Sequence, residues 1–178
     1  MTSTVLALVG SLRKNSMNAM IVAALPALAP NGMTIVEFDV SQIPLYNQDD
    51  DTDTPPEAIV ALRAAVAEAD AIVIATPEYN HSIPAVTKNF IDWASRPFMK
   101  GVLTKKNIML LVCGPVDSSG SHGLAATREV LTLLGNTVST ALTVGGAHKK
   151  ITSTDGVVSV VDSDLAQQLR DGLVLLAD

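Results

Sequence analysis

The run Gly10-Ser11-Leu12-Arg13-Lys14-Asn15-Ser16-Met17-Asn18 places two hydroxyls, a guanidinium and two carboxamides just ahead of a predicted helix. That donor set suits a phosphate monoester, which carries up to two negative charges and needs donors from several directions. Ser11, Ser16 and Asn18 can donate from their side chains, and Arg13 can form a charge-assisted pair. The amides entering the helix at Met17 add the positive field of a helix N-terminus. This is not a common nucleotide loop. The chain has no Gly-x-Gly-x-x-Gly, which weakens a dinucleotide reading, and no Gly-x-x-x-x-Gly-Lys-Ser/Thr, which argues against a P-loop.

A second loop reads Pro77-Glu78-Tyr79-Asn80-His81-Ser82 and joins an apolar run to another helix. Pro77 and Tyr79 offer apolar surface. The backbone groups of Glu78 to Asn80, with Ser82, can read the alternating acceptors and donor on the edge of a heterocycle. On that reading the Glu78 side chain is dispensable. A third loop, Cys113 to Gly123, is long, polar and rich in glycine. Gly114 and Ser118 there let backbone come close to a ligand. A phosphate site and an edge-reading loop together call for a planar cofactor that bears a phosphate. Flavin mononucleotide fits best.

These loops need elements to hold them, and the hydrophobic pattern supplies alternating strands and helices. Strands are expected at Val5–Val9, Met33–Phe38, Ala71–Ala75, Ile108–Val112 and Thr137–Val144. Helices are expected from Ser16 to Leu25, from a Thr54-Pro55-Pro56-Glu57 capping box onward, from Pro84 to Ser95, from His122 to Leu134, and from Ser163 to Ala177. Pro26 should stop the first helix. The first, third and fourth strands are almost continuously apolar, as strands covered on both faces are. The fifth alternates and should lie at an edge. Five strands alternating with five helices predict an α/β, flavodoxin-like, doubly wound parallel sheet of order 2-1-3-4-5 with helices on both faces. The ligand crevice should then lie beyond the C-terminal ends of strands one, three and four. A chain of 178 residues without linker or repeat reads as one domain, 1–178.

Composition narrows the function. At 48% hydrophobic and 17% charged, the chain is expected to be globular. A net charge of −6 argues against nucleic acid as a partner, so any anion site must be local. No apolar run reaches the ~20 residues that span a bilayer, and no basic region precedes the first strand, so neither a membrane segment nor a signal peptide is expected. The single Cys113 permits no internal disulfide, and a cytoplasmic location is expected. The three histidines, His81, His122 and His148, lack metal-ligand spacing and are set aside, although His81 lies in the second loop and can line a substrate face. The run Asp49-Asp50-Asp51-Thr52-Asp53 lacks the glycine and spacing of a calcium loop. No metal site is expected.

Gly-Ser-Leu-Arg-Lys-x-Ser-x-Asn after the first strand, Pro-Glu-Tyr-Asn-x-Ser-Ile-Pro after the third, and the following Lys-Asn-x-Ile-Asp-Trp-x-Ser-Arg-Pro resemble the NAD(P)H-dependent FMN reductase family of quinone, chromate and azo-dye reductases. Ile43-Pro44-Leu45-Tyr46-Asn47-Gln48-Asp49 is similar to the family's segment after the second strand. The resemblance implies that Ser11, Arg13, Ser16 and Asn18 hold the FMN phosphate, and that Pro77 to Asn80 with Ser82 hold the ring. It also implies a homodimer or homotetramer with the Pro84–Ser95 helix and Ser95 to Phe98 near the interface. Two departures stand out: Ala85 where many members have glycine, and Ser119-Gly120-Ser121-His122-Gly123 where a Gly-Gly pair is common.

The expected activity is therefore hydride transfer from NADPH or NADH, through bound FMN, to a quinone, nitro, azo, flavin or metal-oxyanion acceptor in a ping-pong sequence. The flavin carries the redox chemistry, so no catalytic side chain is assigned. A flavodoxin-type electron carrier is the alternative; Arg13 and Lys14 favour the reductase.

Overall fold

Alternation of apolar residues on two-sided strands builds two cores in the computed structural model, which describes residues 2–177. Val5, Ala7 and Val9 of β1 (Ser3–Val9) point to one face of the sheet, and Leu6 and Leu8 point to the other. The same division holds in β3 (Ala71–Thr76) and β4 (Asn107–Cys113), every residue of which is buried except Asn107. With β2 (Met33–Phe38) and β5 (Thr137–Val144), these strands form one parallel sheet of order β2-β1-β3-β4-β5. The expected topology is the observed one, and β5 lies at the edge, as its alternating pattern predicted.

One core packs α1 (Met17–Ala24) and α6 (Ser163–Val174) on the sheet. The other packs α2 (Glu57–Glu68), α3 (Ala85–Ala94) and α4 (Ser121–Leu133). Ser16 is the N-cap of α1, and a 3-10 turn carrying Pro26 ends that helix. Two expectations shift. Pro84 is the N-cap of α3, not its first residue. The cap of α2 is Pro56, with no side-chain cap bond, so the Thr54 capping box does not form. The Thr54 amide, which Glu57 would have satisfied in such a box, donates instead to Thr52 Oγ1 at 3.2 Å.

The alternation rule missed one unit. After the short helix α5 (Ala147–Lys150) comes an antiparallel hairpin, β6 (Ile151–Thr154) and β7 (Val157–Val160). Its two-residue turn, Asp155-Gly156, has both φ angles positive, at 51° and 81°. Asp-Gly between alternating residues is a strong hairpin signal, and Val158 and Val160 pack on the core beside α1.

A strap crosses the outside of α3. Pro44's carbonyl accepts from Trp93 Nε1 at 2.8 Å and from Asn89 Nδ2 at 2.9 Å, while Asn89 Oδ1 accepts from the Tyr46 amide at 2.8 Å. Tyr46 stands edge-on to Trp93, with ring centroids 4.9 Å apart. These bonds fix the segment after β2, and they give Tyr46 a structural role.

Candidate functional site

The first strand and helix are joined where the backbone must pass close to its neighbours. Gly10 donates to the Ala75 carbonyl at 2.7 Å. A methyl group on Gly10 would collide with the Thr87 hydroxyl and sit 2.7 Å from that of Thr76. Thr76 and Thr87 are fully buried and bonded to each other at 2.6 Å. Glycine therefore lets the first loop rest directly on the end of β3 and the start of α3.

Past Gly10 the chain turns outward. Ser16's amide donates to the Arg13 carbonyl at 3.1 Å, and Ser16 Oγ accepts from the amides of Asn18 and Ala19 at 3.2 and 3.4 Å. The Ser16 hydroxyl keeps its own proton for donation. Asn18 is buried, and its Oδ1 accepts from the Cys113 amide at 3.3 Å. This bond ties the start of α1 to the end of β4, so half of the Asn18 carboxamide is committed to structure. Arg13 and Asn15 are exposed, and the first turn of α1 contains no acidic residue.

At the end of β3 the backbone folds on itself. Tyr79 and Ser82 exchange amide-to-carbonyl bonds at 3.2 and 3.0 Å, with Asn80 and His81 at φ 49° and 59° between them. Positive φ at both central positions is the mark of a tight two-residue turn. The Tyr79 N–H is thus occupied within the turn and is not available to read a ligand edge. The Glu78 side chain is engaged as well: Oε2 accepts from the Gly123 amide in the first turn of α4 at 2.7 Å. That bond gives the side chain a structural role besides any contact with a ligand.

The two loops and the end of β4 enclose one cleft of about 540 Å³. The first loop lends it Ser11, Arg13, Ser16, Met17 and Asn18, together with Asn15. The second lends Pro77, Glu78 and Tyr79. The third lends Gly114, beside Cys113 and Pro115. Asn80, Ser82 and Ser118 do not line the cleft; the first two belong to the turn beyond Tyr79, and Ser118 lies farther along the third loop. His148, at the start of the short helix after β5, lines the cleft and was passed over in the sequence. The signal was the Gly145-Gly146 pair before it, which turns the chain back at the crevice edge of the sheet.

Chemically the cleft has two ends. Hydroxyls, a guanidinium and carboxamides surround the N-terminus of α1, a set built for an anion. At the other end, buried Pro77 and half-exposed Tyr79 present flat apolar surface beside backbone amides. These residues fit FMN on donor chemistry, with the phosphate at α1 and the ring at Pro77–Tyr79. Burial pushes the Cys113 thiol up to about 12, so it stays protonated and is no nucleophile. His81 and His122 lie with ring centroids 4.4 Å apart outside the cleft. A second depression, of about 600 Å³, lies by the strap, but its Arg63 is already spent on Asp51 at 2.7 Å and on the Trp93 carbonyl. Among the described residues no group of three or more side chains is placed to hold a metal, and no helix is long and apolar enough to cross a membrane.

The family model described as NADPH-dependent FMN reductase matches residues 3–159. A quinone reductase from Pseudomonas putida is 35% identical over 131 residues, 74% of this chain and 70% of its own. A 2-hydroxy-1,4-benzoquinone reductase from Burkholderia sp is 47% identical over 94 residues, 53% of this chain. The match spans about half, 51%, of that relative's length. Among solved structures, the flavoenzyme NAD(P)H:(acceptor) oxidoreductase FerB from Paracoccus denitrificans superposes with a TM-score of 0.83 at 30% identity, covering 99% of this chain and 96% of its own.

Proposed function

This chain belongs to the NADPH-dependent FMN reductase family, and from that premise we propose that it passes hydride equivalents from NADPH or NADH to a small acceptor, with FMN held in the cleft between α1 and the Pro77–Tyr79 loop. The observation that carries the reading is the pairing of an anion-binding end with a flat apolar end in one cleft. FMN bound there would supply the hydride-transfer chemistry.

The chain's own work is binding and orientation. Ser11, Ser16 and Arg13 take the phosphate, with Asn15 and the entering amides of α1 adding donors. Asn18 holds that helix end against β4 through Cys113, so the phosphate site and the third loop keep a fixed separation. Pro77 and Tyr79 would support the ring, while Gly114, where a Cβ would collide with Ser119, lets the third loop pack on itself at the edge of the cleft. The tight Tyr79–Ser82 turn keeps the loop from folding over the site. Nicotinamide and acceptor would take the same part of the cleft in turn, which would give ping-pong kinetics. No cleft residue is assigned an acid or base role. Quinones are the leading acceptor class, since two of the similar proteins are named for them; nitro, azo, flavin and metal-oxyanion acceptors are the further candidates.

The test uses purified protein loaded with FMN, without any partner reductase. Anaerobic NADPH or NADH should bleach the flavin absorbance in stopped flow, and a quinone added afterwards should restore it. Parallel lines in double-reciprocal plots against both substrates support the shared face. A flavin that neither nicotinamide bleaches would make the protein an electron carrier.

A further inference from the structure

Among the described residues Glu78 is the one carboxylate lining the cleft, and it is bonded to the start of α4. Its Oε2 accepts at 2.7 Å from the amide of Gly123. That amide is one of the four at the start of α4 that have no partner within their own helix. Gly123 is buried, and a methyl group there would lie 3.0 Å from Glu78 Cβ, 3.2 Å from Cγ and 3.3 Å from Cα. Glycine at this helix position is what allows the loop and the helix to meet. Gly123 sits inside an α-helix, where alanine would otherwise be the better residue.

Resting on the FMN reading above, we propose that Glu78 is a positioning residue: its carboxylate, clamped to the start of α4 through the Gly123 amide, sets the ring loop against the fourth-strand helix and fixes one negative charge beside the flavin ring. Two consequences follow, one geometric and one electrostatic. The clamp holds Pro77 and Tyr79 in place. The charge disfavours added electron density on the ring and keeps the flavin potential lower than the loop amides alone would set it.

Three variants separate these effects. Glu78→Gln retains an oxygen able to accept from the Gly123 amide, so FMN affinity should stay within about threefold while the flavin midpoint potential moves positive. Glu78→Ala removes both functions. Its FMN dissociation constant should rise clearly more than that of Glu78→Gln, because nothing then holds the loop that carries Pro77 and Tyr79. Gly123→Ala should keep or raise the thermal midpoint of the flavin-free protein, because alanine favours helix, yet weaken FMN binding by pushing the loop away. The clamp is also read without any flavin: hydrogen exchange at the Gly123 amide should quicken in Glu78→Ala and stay slow in Glu78→Gln.

Unchanged exchange at Gly123 in folded Glu78→Ala overturns the clamp. A Glu78→Gln potential equal to that of the parent protein overturns the electrostatic half. If the parent protein does not bind FMN at all, the flavin reading fails, while the exchange result still decides the clamp.

Discussion

Arg13 carries the strongest residue-level expectation. It is exposed in the loop before α1 and lines the anion end of the cleft. Removing a charged donor from a phosphate oxygen costs about 1.5–3 kcal/mol. Arg13→Ala should therefore weaken FMN by that amount in a titration followed by fluorescence quenching. Riboflavin shares the ring and lacks the phosphate, so its affinity should barely move. Equal losses for the two ligands would take Arg13 away from the phosphate. At this scale the sequence was informative about type and less so about commitment. Ser16, Asn18 and Glu78 could be picked as polar residues near a ligand, but each also makes a bond to the protein: a helix cap, a bridge to Cys113 and a clamp to Gly123. The cap is local, but the other two join residues far apart in the chain, 95 positions for Asn18 and Cys113 and 45 for Glu78 and Gly123, and no local pattern encodes them.

Elements were the most legible scale, because periodicity directly reports which faces are buried. The bounds of β2 and β5 follow from their residues without adjustment. The hairpin after α5 escaped because the βα rhythm absorbed its short strands, although Asp155-Gly156 marks it locally. The turn after β3 yields a sharper prediction than backbone readout did. Asn80 has φ 49°, and proline is locked near −65°. Asn80→Pro must break the Tyr79–Ser82 exchange and move Tyr79 out of the cleft. Its FMN affinity should fall at least tenfold, or about 1.4 kcal/mol, with far-UV circular dichroism unchanged; replacing Asn80 by glycine should leave binding nearly intact. A proline variant that binds FMN normally would separate the turn from the site.

Edge strand β2 carries a pH-dependent term. Partial burial, and then the neighbouring charge of Asp39, raise the pKa of Glu37 above the usual carboxylate value. A carboxyl with a raised folded-state pKa favours folding when protonated; that contribution is complete below the unfolded pKa and is lost as pH rises through the folded one. Glu37→Gln should thus raise the thermal midpoint at pH 7 relative to the parent, with the gain shrinking toward pH 4. The side chain remains largely exposed, so the gain is small. A constant difference across that range would leave Glu37 without an electrostatic cost.

For the whole molecule, the sheet order settles where a ligand can enter, and apolar surface beside that entrance bears on assembly. Leu12 in the first loop is 58% exposed, and Leu45 on the strap is 79% exposed. Both border one depression with Ile43 and Val86, and with polar Ser41 and Asn89, so apolar surface lies next to the cleft. Patches of this kind on soluble chains mark contact surfaces. The strap's bonds to Asn89 and Trp93 make Leu45 a rigid presenter rather than a loose tip. We expect a second copy of the chain to cover this patch, giving a species of at least twice 18.6 kDa by light scattering. Leu45→Asp places a charge on the patch without touching the core, because Leu45 is solvent-facing in the single chain. It should shift the protein toward the 18.6 kDa species while its circular dichroism spectrum stays unchanged. If the parent chain is already monomeric at micromolar concentration, the patch is open surface, and the flavin face beside it must be completed by residues of one chain alone.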